Sequence, residues 1–388
     1  MDYKCTSSFE FTFPTKVVYG CGALRELPEE VRAAGGSRIL VITDPGIVGA
    51  GIAGKVTDLL DREGFAYAVF DGVEANPKDV NAEAAAKAAR ELDADCLIAV
   101  GGGSPIDCAK AVGVLLAHNA EKIKPYEGKT AATLQGPPLL TIPTTSGTGS
   151  EITFSSVITD TENMYKMTVK SPFTAATTAV CDPELTLSVP PQVTAATGVD
   201  ALTHAIEGFT AVNSEPIGDA TALYAVELIC GSLVKAVNEG SDLEARSNML
   251  MGSMLAGISF SHSDVASVHC IAEALGSLYD LPHGTCNAIF LPYVMEYNMD
   301  YCQGRYARVA TAMGLSWETE EEGAKKAVDY VKQLTKDVAL PTFASLDPDP
   351  EDFPRLAEMA FQNGSNDSNP RPMTKEDYLA LLQNVYSA

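Results

Sequence analysis

The sequence predicts an α/β domain built on a parallel, doubly wound sheet, followed by an all-helical domain. Two observations carry this reading. From about Val17 to Val189, short β-branched runs alternate with alanine-rich helical stretches, the βαβ pattern of a parallel sheet. Beyond VPPQVTAAT the strand-like runs stop and long amphipathic stretches take over. Pro190 and Pro191 break either kind of element, so we expect the domains to be residues 1–189 and 190–388. A chain of 388 residues also exceeds what one core usually fills.

The elements follow in order. RILVITD is a strand, GIAGKVTDLLDREG a helix, FAYAVFDGV a strand, AEAAAKAARELDAD a helix and CLIAVGGGS a buried strand ending in glycines. LLTIPTTSGTGSE joins another strand to a hydroxyl- and glycine-rich loop. In the second half, DATALYAVELICGSLVKAVNEG and EEGAKKAVDYVKQLTKDV have helical periodicity, and SLDPDPEDFP and NGSNDSNPRPMT are turn-rich connections. No repeat, low-complexity tract or heptad run is present.

Composition narrows the function. With 46% hydrophobic and 20% charged residues the chain is globular, and no uninterrupted apolar run approaches the roughly 20 residues of a membrane helix, so no membrane partner is expected. The start, MDYKCTSSFEFTFPTKVVYG, lacks the apolar stretch of a secretory leader, and nine scattered cysteines fit a reducing compartment, so a cytoplasmic location is expected. A formal charge of −24 repels phosphate backbones, which argues against nucleic acid; as surface, it keeps a protein soluble.

Three places carry candidate chemistry. In GVDALTHAIEG, Asp200 and His204 are four residues apart and share a helix face; His269 and His283 supply two further imidazoles, a set suited to one divalent cation. Gly101, Gly102, Gly103 and Ser104 lie between a strand and a helix, where bare backbone and free N–H groups can approach a diphosphate, with Asp107 expected in that helix's first turn. Thr144, Thr145 and Thr148 form a second such loop, and Asp44, at the end of RILVITD, stands where an acid accepts hydrogen bonds from an adenosine ribose, favouring NAD over NADP. Each has a plainer alternative: a tight turn, a capped turn, a core histidine. Together they favour a nucleotide- and metal-binding enzyme.

Taken in order, YGCGALREL, ITD, GGGSPIDCAK, IPTTSGTGSE, CDPELTLSVPP, GVDALTHAIEG and VHC…LPHGTCNAIFLP resemble the iron-containing (group III) alcohol dehydrogenases nearly end to end. The resemblance implies a Rossmann-like domain followed by an all-helical metal-binding domain, the fold shared with dehydroquinate synthase. It implies NAD(H), Fe(II) or in some relatives Zn(II), and interconversion of a small primary alcohol with its aldehyde, with aldehyde reduction the expected direction. It assigns Asp200, His204, His269 and His283 to the metal, Asp44, Gly101–Ser104, Thr144, Thr145 and Thr148 to the nucleotide, and Lys166 to the nicotinamide side. A homodimer or larger homo-oligomer is also implied.

The segment FSHSDVASVHCIAE departs from the family pattern F-S-N-A-G-L-G-x-x-H: His262 replaces an asparagine, Asp264 and Ala266 replace glycines, and Glu273 replaces a pocket histidine. Glu273 lies one helical turn past His269, placed to relay a proton or to bind a polar substrate group; the plainer reading is a bond to a ligand histidine. The substrate is therefore expected to be a short polar aldehyde. His118 is expected to be a helix C-terminal residue with no further task, and Cys270 and Cys286 to play no metal role. Two rivals remain: a glycerol dehydrogenase-like polyol oxidoreductase, and a catalytically silent NAD-binding oligomer.

Overall fold

The computed structural model describes residues 8–387. They form two compact units: one holds Thr12–Thr145 and Gly149–Val189, the other the stretch ending at Phe11, Ser146–Thr148 and the chain from Pro190 onward.

The first unit contains β1 (Lys16–Tyr19), α1 (Leu27–Ala33), β2 (Arg38–Ile42), α2 (Pro45–Gly49), α3 (Ile52–Arg62), β3 (Ala66–Phe70), α4 (Asp79–Leu92), β4 (Cys96–Gly101), α5 (Gly103–Ala117), β5 (Leu139–Pro143), β6 (Ser155–Asp160), β7 (Tyr165–Lys170) and β8 (Thr178–Cys181). Six strands make one parallel sheet in the order β1-β8-β5-β4-β2-β3. Because side chains alternate across a strand, Ile39, Val41, Ile98 and Val100 pack with α3 on one face, and Leu40, Ile42, Leu97 and Ala99 pack with α4 and α5 on the other. Burial on both faces explains why β4 reads as the continuous apolar run CLIAVG. Helix α3 buries Ile52, Ala53, Val56 and Leu60, one stripe at helical spacing, and α4 buries Ala82, Ala85, Ala86 and Ala89. The βαβ alternation is interrupted at residues 155–170, where β6 and β7 form a separate antiparallel hairpin with half-buried and buried positions alternating along β6.

The second unit is helical, as the sequence predicts: α6 (Pro191–Thr210), α7 (Pro216–Asn238), α8 (Leu243–Ser263), α9 (Ser267–Tyr279), α10 (His283–Ala312), α11 (Glu320–Asp337), α12 (Phe353–Gln362) and α13 (Lys375–Ser387). Helix α6 packs against α7, α8 and α10. At Gly198 a Cβ would fall 2.3 Å from Leu233 Cδ1, so a larger residue there would displace that side chain. Pro292 lies inside α10, and non-helical angles at Cys302 mark a kink. Helix α7 has the length and the mean hydropathy, 1.5, of a membrane span. Yet its Ala222, Ala225, Val226, Ile229 and Leu233 are buried in the helical core, and its Asp219 pairs with Arg305 of α10. Cys96, Cys108, Cys181, Cys270, Cys286 and Cys302 are buried, unbridged thiols.

Candidate functional site

The sheet register brings the predicted nucleotide loops together. Gly101 pairs with Pro143, so the loops leaving β4 and β5 are neighbours, and Thr144 N donates to Gly101 O at 3.0 Å. A Cβ on Gly101, whose φ is +148°, would lie 2.6 Å from Pro105 Cγ and 3.3 Å from Asp44 Oδ2; one on Gly102 would lie 3.0 Å from Thr145 Oγ1. Only bare backbone fits among Asp44, Pro105 and Thr145. Gly102 precedes α5 with no side-chain cap, which leaves the first N–H groups at Gly103 and Ser104 for an anion, and the buried hydroxyl of Thr144 has no protein partner. Asp44 caps the short α2 by accepting from Ile47 N at 2.9 Å. An uncapped helix start, a hydroxyl awaiting a partner and a carboxylate beside the glycines fit a dinucleotide at the carboxyl ends of the strands.

Asp107 departs from expectation. Helix α5 starts at Gly103, so Asp107 falls past the first turn; it accepts from Val157 N at 3.0 Å and lies 3.8 Å from Lys110 Nζ. It belongs to a buried polar cluster. Lys110 donates to Thr153 Oγ1 at 2.9 Å and Ser155 O at 2.7 Å; burial pulls its ammonium down to about 8, opposed by Asp107 and Glu151. Burial raises Asp107, and raises Glu151 to about 7. Lys166, on β7, donates to Asn76 Oδ1 at 2.9 Å. His118 is the residue closing α5, as expected, but it also works: its Nε2 accepts from Thr133 N at 3.2 Å and its ring lies against Tyr126.

In the helical unit, α6 places Asp200 and His204 on one face, α9 brings His269 and α10 opens with His283. One donor atom from each lies within 4.8 Å of the others, and Asp200, His204 and His269 are buried. Two imidazoles are held by their far nitrogens. His204 Nδ1 donates to Gly147 O at 3.3 Å, and His269 Nδ1 donates to Glu207 Oε2 at 2.5 Å, so both Nε2 lone pairs face the cluster. Burial pushes His204 down to about 4, beyond what Asp200 restores. Burial would raise Asp200, but the three histidines and Asn287 hold its carboxyl below the usual range.

Asn287, one turn past His283, tests the fit to a cation. Its Nδ2 lies 2.6 Å from Asp200 Oδ1, 3.1 Å from His269 Nε2 and 3.2 Å from His283 Nε2. An amide has two protons for three converging lone pairs. A divalent ion serves all of them, and three imidazoles with one carboxylate suit Fe(II) or Zn(II).

Sequence reasoning missed Glu207 and Asn287. Glu207 carried a signal, since it continues the face of Asp200 and His204; Asn287 carried only its spacing from His283. His262 stands outside the four-residue cluster: its Nδ1 donates to Ile258 O at 3.1 Å and its ring stacks on Phe11 at 4.2 Å. Glu273 accepts from Asn363 Nδ2 at 2.5 Å. Asp264 bends the chain between α8 and α9 at φ +78°, ψ 169°, and accepts from Ser365 Oγ at 3.2 Å. Thr148 groups with the helical unit, beside Gly147, which presses on Thr197.

Comparison with known proteins agrees with this geometry. Residues 14–183 match the family "Iron-containing alcohol dehydrogenase", and residues 194–386 match its "Fe-containing alcohol dehydrogenase family, C-terminal" part. The chain is 39% identical to choline dehydrogenase of Bacillus subtilis, over 97% of this chain and 95% of that one. It is similar to the crystal structure of a 1,3-propanediol oxidoreductase, with TM-score 0.95 and 36% identity over 98% and 100% of the two chains. It is also similar to sulfoacetaldehyde reductase from Bifidobacterium kashiwanohense in complex with NAD+, with TM-score 0.89 and 28% identity over 98% and 100%. With both halves matched and the four-residue metal cluster assembled, the chain belongs to the iron-containing alcohol dehydrogenase family, NAD(H)- and metal-dependent oxidoreductases of small alcohols and aldehydes.

Proposed function

We propose that the protein reduces a short aldehyde bearing a second polar group, using NADH. The observation that carries the polar group is Glu273, a half-buried carboxylate one turn beyond His269 on α9 and tied to Asn363. Asp264 reaches the same 363–369 segment through Ser365. Two relatives act, by name, on polar substrates, one on choline and the other on sulfoacetaldehyde. A carboxylate facing the substrate favours a neutral or cationic group over an anionic one.

Each residue then has a task. Asp200, His204, His269 and His283 hold the metal, with Fe(II) favoured and Zn(II) the alternative. Gly101–Ser104, Thr144 and Thr145 hold the nucleotide diphosphate, Asp44 its ribose, and Lys166 the nicotinamide side. Bound metal supplies Lewis acidity and bound NADH supplies hydride. Glu273, with His262 on α8, moves the proton that the product hydroxyl requires. Cytoplasmic location and homo-oligomeric assembly belong to the same proposal, the strand-like start FEFTFPTKVVYG being suited to pairing across a two-fold axis.

The test is NADH oxidation by the iron- or zinc-loaded protein over matched short aldehydes carrying methyl, hydroxyl, ammonium, carboxylate and sulfonate groups. The expected result is a kcat/KM at least tenfold higher for the hydroxyl or ammonium member than for the methyl member, lost in Glu273→Gln. Equal efficiency across the series would overturn it, and turnover confined to polyols would favour a glycerol dehydrogenase-like enzyme.

A further inference from the structure

We infer that Glu207 is the positioning residue of the metal centre, fixing both the proton of His269 and the start of the helix that carries it. The inference rests on Asp200, His204, His269 and His283 holding a metal.

Glu207 is buried on α6, seven residues after Asp200 and three after His204. Its Oε2 accepts from His269 Nδ1 at 2.5 Å and from Ala266 N at 2.9 Å; its Oε1 accepts from Val268 N at 2.7 Å. Helix α9 starts at Ser267 after Ala266 and has no side-chain cap of its own, so a carboxylate from another helix satisfies its first N–H groups. One side chain thus meets three donors, two of the backbone and one of the ring.

The consequence for His269 is chemical. Neutral imidazole carries one proton, and Glu207 keeps it on Nδ1, which leaves Nε2 unprotonated, its lone pair 3.1 Å from Asn287 Nδ2. The carboxylate also makes the ring a more basic ligand and fixes its rotation. Because the same two oxygens hold the Ala266 and Val268 amides, the ring and the backbone that carries it are set from α6, the helix that supplies Asp200 and His204. Glutamine has the same size but offers one acceptor oxygen and an NH2 group, which would face a donor wherever it points.

The test compares wild type with Glu207→Gln after chelation and reloading. Zn(II) affinity is measured by competition with a chromophoric chelator, the Co(II)-loaded protein gives the ligand-field spectrum, and the metal-free proteins are melted. We expect Zn(II) binding 10- to 100-fold weaker and an altered Co(II) spectrum in the variant. Unchanged affinity and spectrum, with only the metal-free Tm lowered, would make Glu207 a helix cap and overturn the inference. Should the variant fail to fold, the imidazole 1H–15N spectrum of metal-free wild type decides, with five histidines to assign: His269 protonated at Nδ1 supports the assignment, and at Nε2 refutes it. A wild type that binds no Zn(II) would remove the metal reading, and this inference with it.

Discussion

Gly284 follows His283 directly, and a Cβ there would lie 2.6 Å from Ala196 O, 3.0 Å from Ala196 C and 3.2 Å from Asp200 Cβ. The obstacle is backbone of α6, which has no rotamer to offer. In Gly284→Ala the shortest contact must open to at least 3.4 Å, so α10 moves about 0.8 Å from α6 at the residue next to a ligand. Metal–ligand distances tolerate about 0.2 Å, so His283 leaves the set that Asp200 and His204 define. We expect a stability loss of about 1–3 kcal/mol, typical of overpacking, and a metal affinity reduced by about tenfold or more. Zn(II) competition and thermal melting of the metal-free protein separate the two effects. Wild-type metal affinity in a folded Gly284→Ala protein would refute the reasoning, because the helices would then have a freedom that the packing denies.

Glu151→Gln tests the buried cluster of the sheet unit. Glu151 is raised from its ordinary 4.5 to about 7, so the unfolded chain ionises first and wild-type stability falls as pH rises from about 4.5 to about 7, by about 3 kcal/mol. The variant lacks this loss, so its Tm should exceed wild type by several degrees at pH 8 and converge with it near pH 4.5; a gap that ignores pH would contradict the assignment. Asp264 occupies backbone angles that only glycine adopts without strain, which costs about 1–3 kcal/mol. Asp264→Gly should therefore melt no lower than wild type although it loses the bond to Ser365, whereas Asp264→Ala, which keeps the strain, should be about 1 kcal/mol less stable. Asp44→Ser keeps an oxygen to cap α2 but removes the carboxylate, so the NADH-to-NADPH ratio of kcat/KM should fall at least tenfold at unchanged Tm; an unchanged ratio would release Asp44 from the ribose.

The four-residue cluster was legible because its chemistry is marked by residue type and its first two members by helical spacing. Glu207 lay on the same face, but a lone glutamate on a helix also reads as solvated surface; only its three donors, 59 to 62 residues away, give it a task. Asn287 was less visible still, since an amide has no charge to draw notice. The parallel sheet was legible from CLIAVG and RILVITD, whose burial on both faces leaves unbroken apolar runs. Asp107 was expected in the first turn because a run of glycines does not mark where the helix begins; α5 starts at Gly103, and Val157, fifty residues on, supplies an N–H to the carboxylate. His118 was placed at its helix end by sequence, while Thr133 and Tyr126, which occupy its ring, come from the following loop.

The chain passes between its two units after Phe11, Thr145, Thr148 and Val189. A fragment beginning at Pro190 would therefore carry all four cluster residues and still be incomplete. It would lack the Gly147 carbonyl that holds the His204 proton and the Phe11 ring on which His262 rests. The helical half is thus an assembly of three separate pieces of chain, and a gene cut at the double proline would yield a bundle whose His204 is free to choose the wrong tautomer.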